Sequence, residues 1–343
     1  MSDVNRIIRE IPKTELHIHL EGAIPLETLF VLIQKRGGDP SITRLDDLQR
    51  KLIYTDFEHF IDTWTWKNNF IKEEPDFEEI TYQALHTLSM QNVKYVEAFY
   101  SPGDFWRHGL SVAAITEYAI MGKERAHRDF GIRSGLILDL VRDHGPNVGM
   151  QRLEDVEPYL DKGIIGVGLG GSEQAFPADH YETVYREAKR RGFRLTAHAG
   201  EAAGPESIWA AVRKLGCERI GHGVRAGEDP SLVAFLRKAR IPLEVCLVSN
   251  VKTGVFKSVQ THPTRRYFED GLMVTVNSDD PTMFNTSITQ EYSLLVQKLG
   301  FTIEDVKRLT LNGVEASFLS EKDKESMKSQ FEREWQQLFD KHL

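Results

Sequence analysis

Four separated groups of side chains in this sequence could hold and use a metal ion: His17 with His19, His198 with Glu201, His222, and Asp279 with Asp280. Each closes a short apolar run: ELHIHLEG, RLTAHAGE, RIGHG and VTVNSDDP. Zinc takes imidazole nitrogens and carboxylate oxygens, and a catalytic zinc keeps one position open for water. Three or four of these residues could therefore hold one divalent cation beside an activated water. Each group also has a plainer use. A His-x-His pair on a strand can be packed core, and Gly221-His222-Gly223 can be a tight turn. Asp279–Asp280 before Pro281 can be a helix N-cap. His198-Ala-Gly-Glu201 says more, because Gly200 lets the backbone turn sharply and swing Glu201 toward whatever His198 touches.

The joint placement of these groups is what argues for a site. Eight strand-like runs can be traced: Glu15–Leu20, Val93–Tyr100, Ser134–Leu140, Ile164–Leu169, Arg194–His198, Arg219–Gly221, Ile241–Val245 and Met273–Asn277. Most are nearly continuous apolar runs, as parallel strands covered on both faces require. Helix-like stretches lie between them: Asp76–Gln91, Leu110–Phe130, His180–Arg191, Pro205–Leu215, Ser231–Lys238 and Pro263–Asp270. This alternation predicts an α/β fold, a (β/α)8 TIM barrel. In that fold His17 and His19 end strand one, His198 ends strand five, His222 follows strand six and Asp279 follows strand eight. All would meet at the C-terminal face, where barrels of this class build their active sites. Alternate residues of a strand point the same way, so His17 and His19 can both turn inward. The interval from about Glu21 to Asn92 is too long for one helix and predicts extra helices over the barrel mouth. Phe60, Ile61 and Trp64 in that interval could form a lid or could simply pack helices together. The tail from Thr302 reads as charged amphipathic helices closing the fold. No repeat or Pro/Gly/Ser-rich linker divides the chain, so residues 1–343 are read as one domain.

The bulk composition narrows the partners. The chain has 343 residues, 41% hydrophobic and 27% charged, with a formal charge of −8. Phosphate backbones call for concentrated Lys and Arg, so no nucleic-acid partner is expected. No apolar run reaches the roughly 18 residues of a membrane span, so no membrane partner is expected either. The N-terminus lacks the apolar core of a secretory signal. Cys217 and Cys246 form no CxxC pair, and a cytoplasmic location is expected. The sequence favours neither a monomer nor a homo-oligomer. Gly166-Val-Gly-Leu-Gly-Gly171 satisfies the dinucleotide pattern GxGxxG. It follows the fourth strand rather than the first, however, and leads into Ser172-Glu-Gln-Ala-Phe-Pro177 instead of a helix. Glycines that let a flat base approach the backbone are the better account. His59, His86, His127 and His262 have no partner spacing and are read as surface or structural.

The segments Pro12-Lys-Thr-Glu-Leu-His-Ile-His-Leu-Glu-Gly-Ala23, His198-Ala-Gly-Glu201, Ile220-Gly-His-Gly223 and Asn277-Ser-Asp-Asp-Pro281 resemble, in that order, the motifs of the adenosine deaminase family. The resemblance runs from about residue 11 to about residue 320. It implies one zinc held by His17, His19, His198 and Asp279, with Fe²⁺ or Mn²⁺ also open. It further implies Glu201 as the proton shuttle, and His222 as the group that orients and deprotonates the attacking water. Asp279 would share that catalytic task. His19, Glu21, Asp280 and Gly171 would contact substrate, Asp280 at purine N7 and the Gly171 backbone at N3. The end of strand four carries no lysine, so a second cation would lack its usual bridge.

These implied roles suit deamination. The reaction needs a nucleophile at the ring carbon C6, a proton on N1 and a protonated leaving amine. A buried Glu201 would keep its proton long enough to donate it to N1. The expected substrate is a small-molecule purine nucleoside, adenosine or 2′-deoxyadenosine, giving inosine and ammonia. Glu21 stands where adenosine enzymes of the family commonly carry Asp, which keeps adenine and 5′-modified adenosines such as aminodeoxyfutalosine open. A metal-dependent amide or ester hydrolase could use the same barrel, but would have no need of Asp280. A catalytically dead binding protein is disfavoured, because every chemical position is filled.

Overall fold

The eight strands pair in parallel and in chain order: β1 (Lys13–His19), β2 (Val93–Tyr100), β3 (Arg133–Val141), β4 (Ile164–Gly170), β5 (Arg194–Ala199), β6 (Arg219–His222), β7 (Leu243–Val245) and β8 (Val274–Val276). The computed structural model describes residues 3–54 and 57–342. Every anticipated strand is present. The last two are only three residues long, because parallel pairing stops where the chain bends into the mouth.

That shortness has a consequence at the seam. β8 ends before it can pair fully with β1, so the residues just beyond it close the ring. Asn277 Oδ1 accepts from the Leu16 N–H at 2.9 Å. The Asp279 N–H donates to His17 O, and the His19 N–H donates to Asp279 O, each at 3.0 Å. Asp279 is thereby bridged to β1 beside both histidines. The closure of the barrel and the assembly of the site are one set of hydrogen bonds.

Four helices fill the long β1–β2 interval: Leu26–Lys35, Leu45–Lys51, Phe57–Asn68 and Asp76–Ser89. The Phe57–Asn68 helix docks over the mouth through Phe60, whose ring stacks on Phe284 with centroids 5.3 Å apart. Phe60 is buried, while Ile61 faces solvent at 44% exposure. Of the residues weighed as a lid, Phe60 is therefore a packing residue. At the opposite end the Ile303–Ala316 and Glu321–His342 helices seal the barrel, with Trp335 fully buried and its indole N–H donating to Thr310 Oγ1. Cys217 and Cys246 are both buried and unbridged. Among the described residues, no helix is long and apolar enough to cross a membrane.

The glycine-rich β4 serves packing. A Cβ at Gly168 would lie 2.5 Å from the Phe99 ring, and one at Gly170 would lie 2.8 Å from Asp139 Oδ2. No helix begins directly after the strand, consistent with the absence of a dinucleotide cradle there. Two glycines read as making room for a base thus make room for neighbouring side chains.

Candidate metal and catalytic site

His17 is fully buried on β1, and its Nδ1 lies 2.8 Å from Glu244 Oε2 on β7. The carboxylate accepts the Nδ1 proton and leaves the Nε2 lone pair facing the barrel axis, the usual outer support of a metal-ligating histidine. That Nε2 is buried and makes no hydrogen bond. Glu244 is itself held by Arg219, whose Nε lies 2.5 Å from Oε1, and Arg219 continues to Glu97 on β2 at 2.5 Å. Burial works against ionised Glu244, but Arg219 and His17 outweigh it and hold the carboxyl below its ordinary range. A charged chain Glu97–Arg219–Glu244–His17 therefore crosses the core and ends at the site. Removing one partner of such a buried pair typically costs about 3–5 kcal/mol.

Around His17 Nε2 the other donors converge. His19 Nε2 lies 3.2 Å from His198 Nε2 and 3.4 Å from Asp279 Oδ1, and His17 Nε2 lies 3.5 Å from the same oxygen. A tetrahedral zinc with bonds of about 2.0–2.1 Å has donor–donor edges of about 3.3 Å. The spacing fits one such cation. His222 also brings a nitrogen into the group, since one donor atom each from His17, His198, His222 and Asp279 lie within 4.8 Å of one another. His222 Nε2, however, faces Glu201 Oε2 at 3.5 Å and the second oxygen of Asp279, Oδ2, at 3.8 Å. The distances of 3.2–3.5 Å link His19 to His198 and both His17 and His19 to Asp279 Oδ1.

The protonation tendencies agree with a cation-binding role. Burial, reinforced by the other histidines, pushes His198 well below its ordinary value, and burial lowers His19 to about 3. Both keep free lone pairs at neutral pH. Burial also opposes charge on His17 and Asp279. Their close approach at 3.5 Å and the Glu244 contact outweigh it, raising His17 to about 10 and depressing Asp279. A cation in the same place would take over the proton's part in this pairing.

The turn after β5 is held by a residue that the sequence did not single out. Glu173 accepts backbone N–H bonds from Gly200 at 2.5 Å, Ala202 at 2.7 Å and Ala203 at 2.9 Å. Arg142, fully buried after β3, donates to His198 O at 2.8 Å and to Gly170 O at 3.1 Å. These contacts set His198 and aim Glu201 inward. Burial raises the Glu201 carboxyl above its ordinary value, so the neutral, proton-holding form is favoured. His222 and Asp279 both adopt left-handed backbone angles, φ 60° and 64°. Non-glycine residues there store about 1–3 kcal/mol of strain each, characteristic of functional positions.

Asp280 does not serve as an N-cap. Its side chain makes no capping bond to the short Pro281–Phe284 helix, and Oδ1 is buried without a partner. A Cβ on Gly22 would fall 1.8 Å from that oxygen, so only glycine at position 22 leaves Asp280 its place. Burial next to Asp279 drives the Asp280 carboxyl well above its ordinary value.

With the donor cluster, the buried Glu201 carboxyl and the unpartnered Asp280 oxygen in place, comparison with known proteins decides the kinship. A family model described as adenosine deaminase matches residues 12–334. The chain belongs to the adenosine deaminase family. It is 31% identical over 325 residues to an adenosine deaminase of Clostridium kluyveri, covering 94% of this chain and 93% of that one. It is 37% identical over 304 residues to an adenine deaminase of Bordetella avium, covering 89% and 96%. In three dimensions it is similar to an amidohydrolase from Burkholderia ambifaria solved with bound Zn, with TM-score 0.92, 25% identity and coverage of 99% and 95%. This family member is accordingly a hydrolytic deaminase.

Elsewhere the expected residues divide. Glu21 is buried away from the cage: its Oε1 accepts from the Ser101 N–H at 2.9 Å, and its backbone oxygen accepts from Lys67 Nζ at 2.7 Å. Gly171 lies on the exposed rim beside Asp143, with φ 90°. His86 stacks on Phe130, and His127 bonds to the Ile132 carbonyl, as structural histidines do. His262 is different. It is buried and joins the site through Asn250, with Nε2 3.1 Å from Asn250 Oδ1. Lone histidine spacing could not reveal that link. Glu244 did carry a signal, as a charge inside the apolar β7 run that needs a buried partner.

Proposed function

We propose that this deaminase removes the 6-amino group of adenosine and 2′-deoxyadenosine with water, releasing inosine or 2′-deoxyinosine and ammonia. The observation that carries the chemistry is the convergence of the His17, His19, His198 and Asp279 donors on one another, with Glu201, a carboxyl whose pKa burial raises, 3.5 Å from His222 beside them. A zinc ion held by His17, His19, His198 and Asp279 would supply Lewis-acid activation of water near neutral pH. Glu201 holds the proton that goes to N1, so that the ring accepts attack at C6; as the C6–N bond breaks, the Glu201 carboxylate relays the proton of the new C6 hydroxyl to the departing amine, and the proton that Asp279 takes from water restores Glu201. Asp279 Oδ2, next to His222 Nε2, accepts the proton of the attacking water. Asp280 Oδ1, buried and unpartnered, faces the ring as the partner of N7. With burial raising its pKa, Asp280 holds a proton and can donate it to that nitrogen.

The far side of the mouth bears on the sugar. Glu21 Oε2 and Asp139 Oδ1 are buried acceptors without partners, and Ser101 ties the two carboxyls together through its N–H and Oγ. Ribose hydroxyls are the donors such oxygens lack. Lys67, the buried cation nearby, donates to Glu21 O and Asn68 Oδ1, and the Glu21, Asp280 and Asp104 carboxyls around it weigh against a phosphate there. A second reading, adenine, is favoured by the complete burial of Glu21, since the purine N9–H could serve one of these acceptors instead.

The test is a panel of adenosine, 2′-deoxyadenosine, adenine, aminodeoxyfutalosine and AMP, followed by ultraviolet absorbance and ammonia release. Nucleosides should give the highest kcat/KM and AMP the lowest. Preference for adenine would replace the first reading with the second, and inactivity on all would overturn the substrate class.

A further inference from the structure

Behind His222 and Glu201 runs a chain of hydrogen bonds whose direction can be read from its far end. The Thr264 backbone N–H lies 3.4 Å from His262 Nδ1, and Thr264 Oγ1 lies 2.6 Å from the same atom. A backbone N–H can only donate, so His262 Nδ1 accepts and the ring carries its proton on Nε2. Burial keeps His262 neutral, with its pKa lowered to about 3. Its Nε2–H then donates to Asn250 Oδ1 at 3.1 Å. The opposite amide orientation would set an NH₂ group against that N–H.

With the amide so fixed, Asn250 Nδ2 spends one hydrogen on Glu201 Oε1 and the other on His222 Nδ1, each at 3.1 Å. Asn250 is completely buried within the short Leu247–Lys252 helix after β7, where water cannot substitute for either bond. His222 Nδ1 is therefore an acceptor, and a neutral ring must carry its proton on Nε2. That N–H points between Glu201 Oε2 and Asp279 Oδ2.

We infer that Asn250 is a positioning residue that, oriented by His262 and Thr264, locks His222 as an Nε2–H donor and holds Glu201 in place. A nitrogen bearing a proton cannot ligate a cation, so His222 stands outside the metal cage despite its proximity. Nor can a neutral Nε2–H accept a proton from water. His222 aims the nucleophile, and Asp279 is left as the base. The inference deepens the deaminase reading for its kinetic consequences, while the tautomer itself can be read without turnover.

The experiment uses zinc-loaded protein labelled with ¹⁵N-histidine, the His222 signals being assigned by their loss in His222→Asn. Long-range ¹H–¹⁵N spectra should show Nε2 protonated and Nδ1 bare in the wild type. Asn250→Asp turns both donors into acceptors, so Nδ1 should become protonated and kcat on adenosine should fall about 10–100-fold with little change in KM or zinc content. A wild-type Nδ1–H tautomer, or an unchanged kcat in Asn250→Asp, overturns the inference. Should that variant not fold, His262 supplies a second pair. His262→Gln keeps a donor toward Asn250 and should retain most of kcat, whereas His262→Leu should lose about tenfold or more. Equal rates for the two would also overturn it. Failure of the aminopurine reading would show as inactivity of the wild type across the panel, with the tautomer result unaffected.

Discussion

Around the cage, His17, Asp279 and His198 are held through side chain or backbone by other parts of the barrel, whereas the opposite side of the mouth depends on the inserted Phe57–Asn68 helix. His17 is held by Glu244 on β7, Asp279 by β1 backbone, and His198 by Arg142 beyond β3. Glu21, by contrast, meets Lys67 of the inserted helix and Ser101 just after β2. The cage side has its geometry over-determined by the closed barrel, which suits chemistry that tolerates little displacement. In the proposed reading the substrate's far end would be shaped by this inserted segment rather than by the strands. Within one family, relatives named for adenosine and for adenine are compatible with such a division.

The largest effect should come from the cage side. Glu201→Gln should keep zinc content and inhibitor affinity near normal while lowering kcat about 10²–10⁴-fold. His17→Ala should instead lose metal, read by elemental analysis of the purified protein. A Glu201→Gln enzyme with ordinary turnover would remove the proton-shuttle role.

A smaller change should follow on the far side. Glu21→Asp retracts the carboxylate by one methylene, and the ratio of adenosine to adenine kcat/KM should move by about tenfold, with zinc content unchanged. An unaltered ratio would place the sugar contact elsewhere.

The smallest effect concerns stability beneath the site. Glu291 is buried, and burial raises its carboxyl from an ordinary 4.5 to about 8 despite bonds from Thr286, Val248 and Leu247. The native state therefore holds a proton there that the unfolded chain releases. The associated stability is full below about pH 4.5 and is lost as pH rises through about 8. Glu15, raised by burial to about 8, contributes with the same sign. Glu291→Gln should flatten the fall in melting temperature between acid and pH 8 only in part, as seen by calorimetry. An unchanged slope would exclude Glu291 as a contributor.

Much of the fold was legible because parallel strands buried on both faces are apolar runs, and because helices between them begin and end at marked residues. β2 spans Val93–Tyr100 as read, and the helix expected over Leu110–Phe130 begins two residues later at Val112 with Ser111 as its cap. The seven side chains singled out near strand ends were legible for a related reason: a histidine or acid ending an apolar strand is conspicuous. Glu173, Arg142, Asn250 and His262 were not. Their sequence surroundings are ordinary, and their importance lies in which backbone or ring atom they reach.

By itself the sequence determined the barrel, the face on which chemistry would gather and the residue types available to it, since strand periodicity and residue chemistry are local properties. Only the tertiary structure decided which nitrogen of each histidine faces the centre, which acid keeps its proton and which glycines serve packing. Those depend on burial and on hydrogen-bond partners up to some 260 residues away, as between Leu16 and Asn277, and no local pattern encodes them.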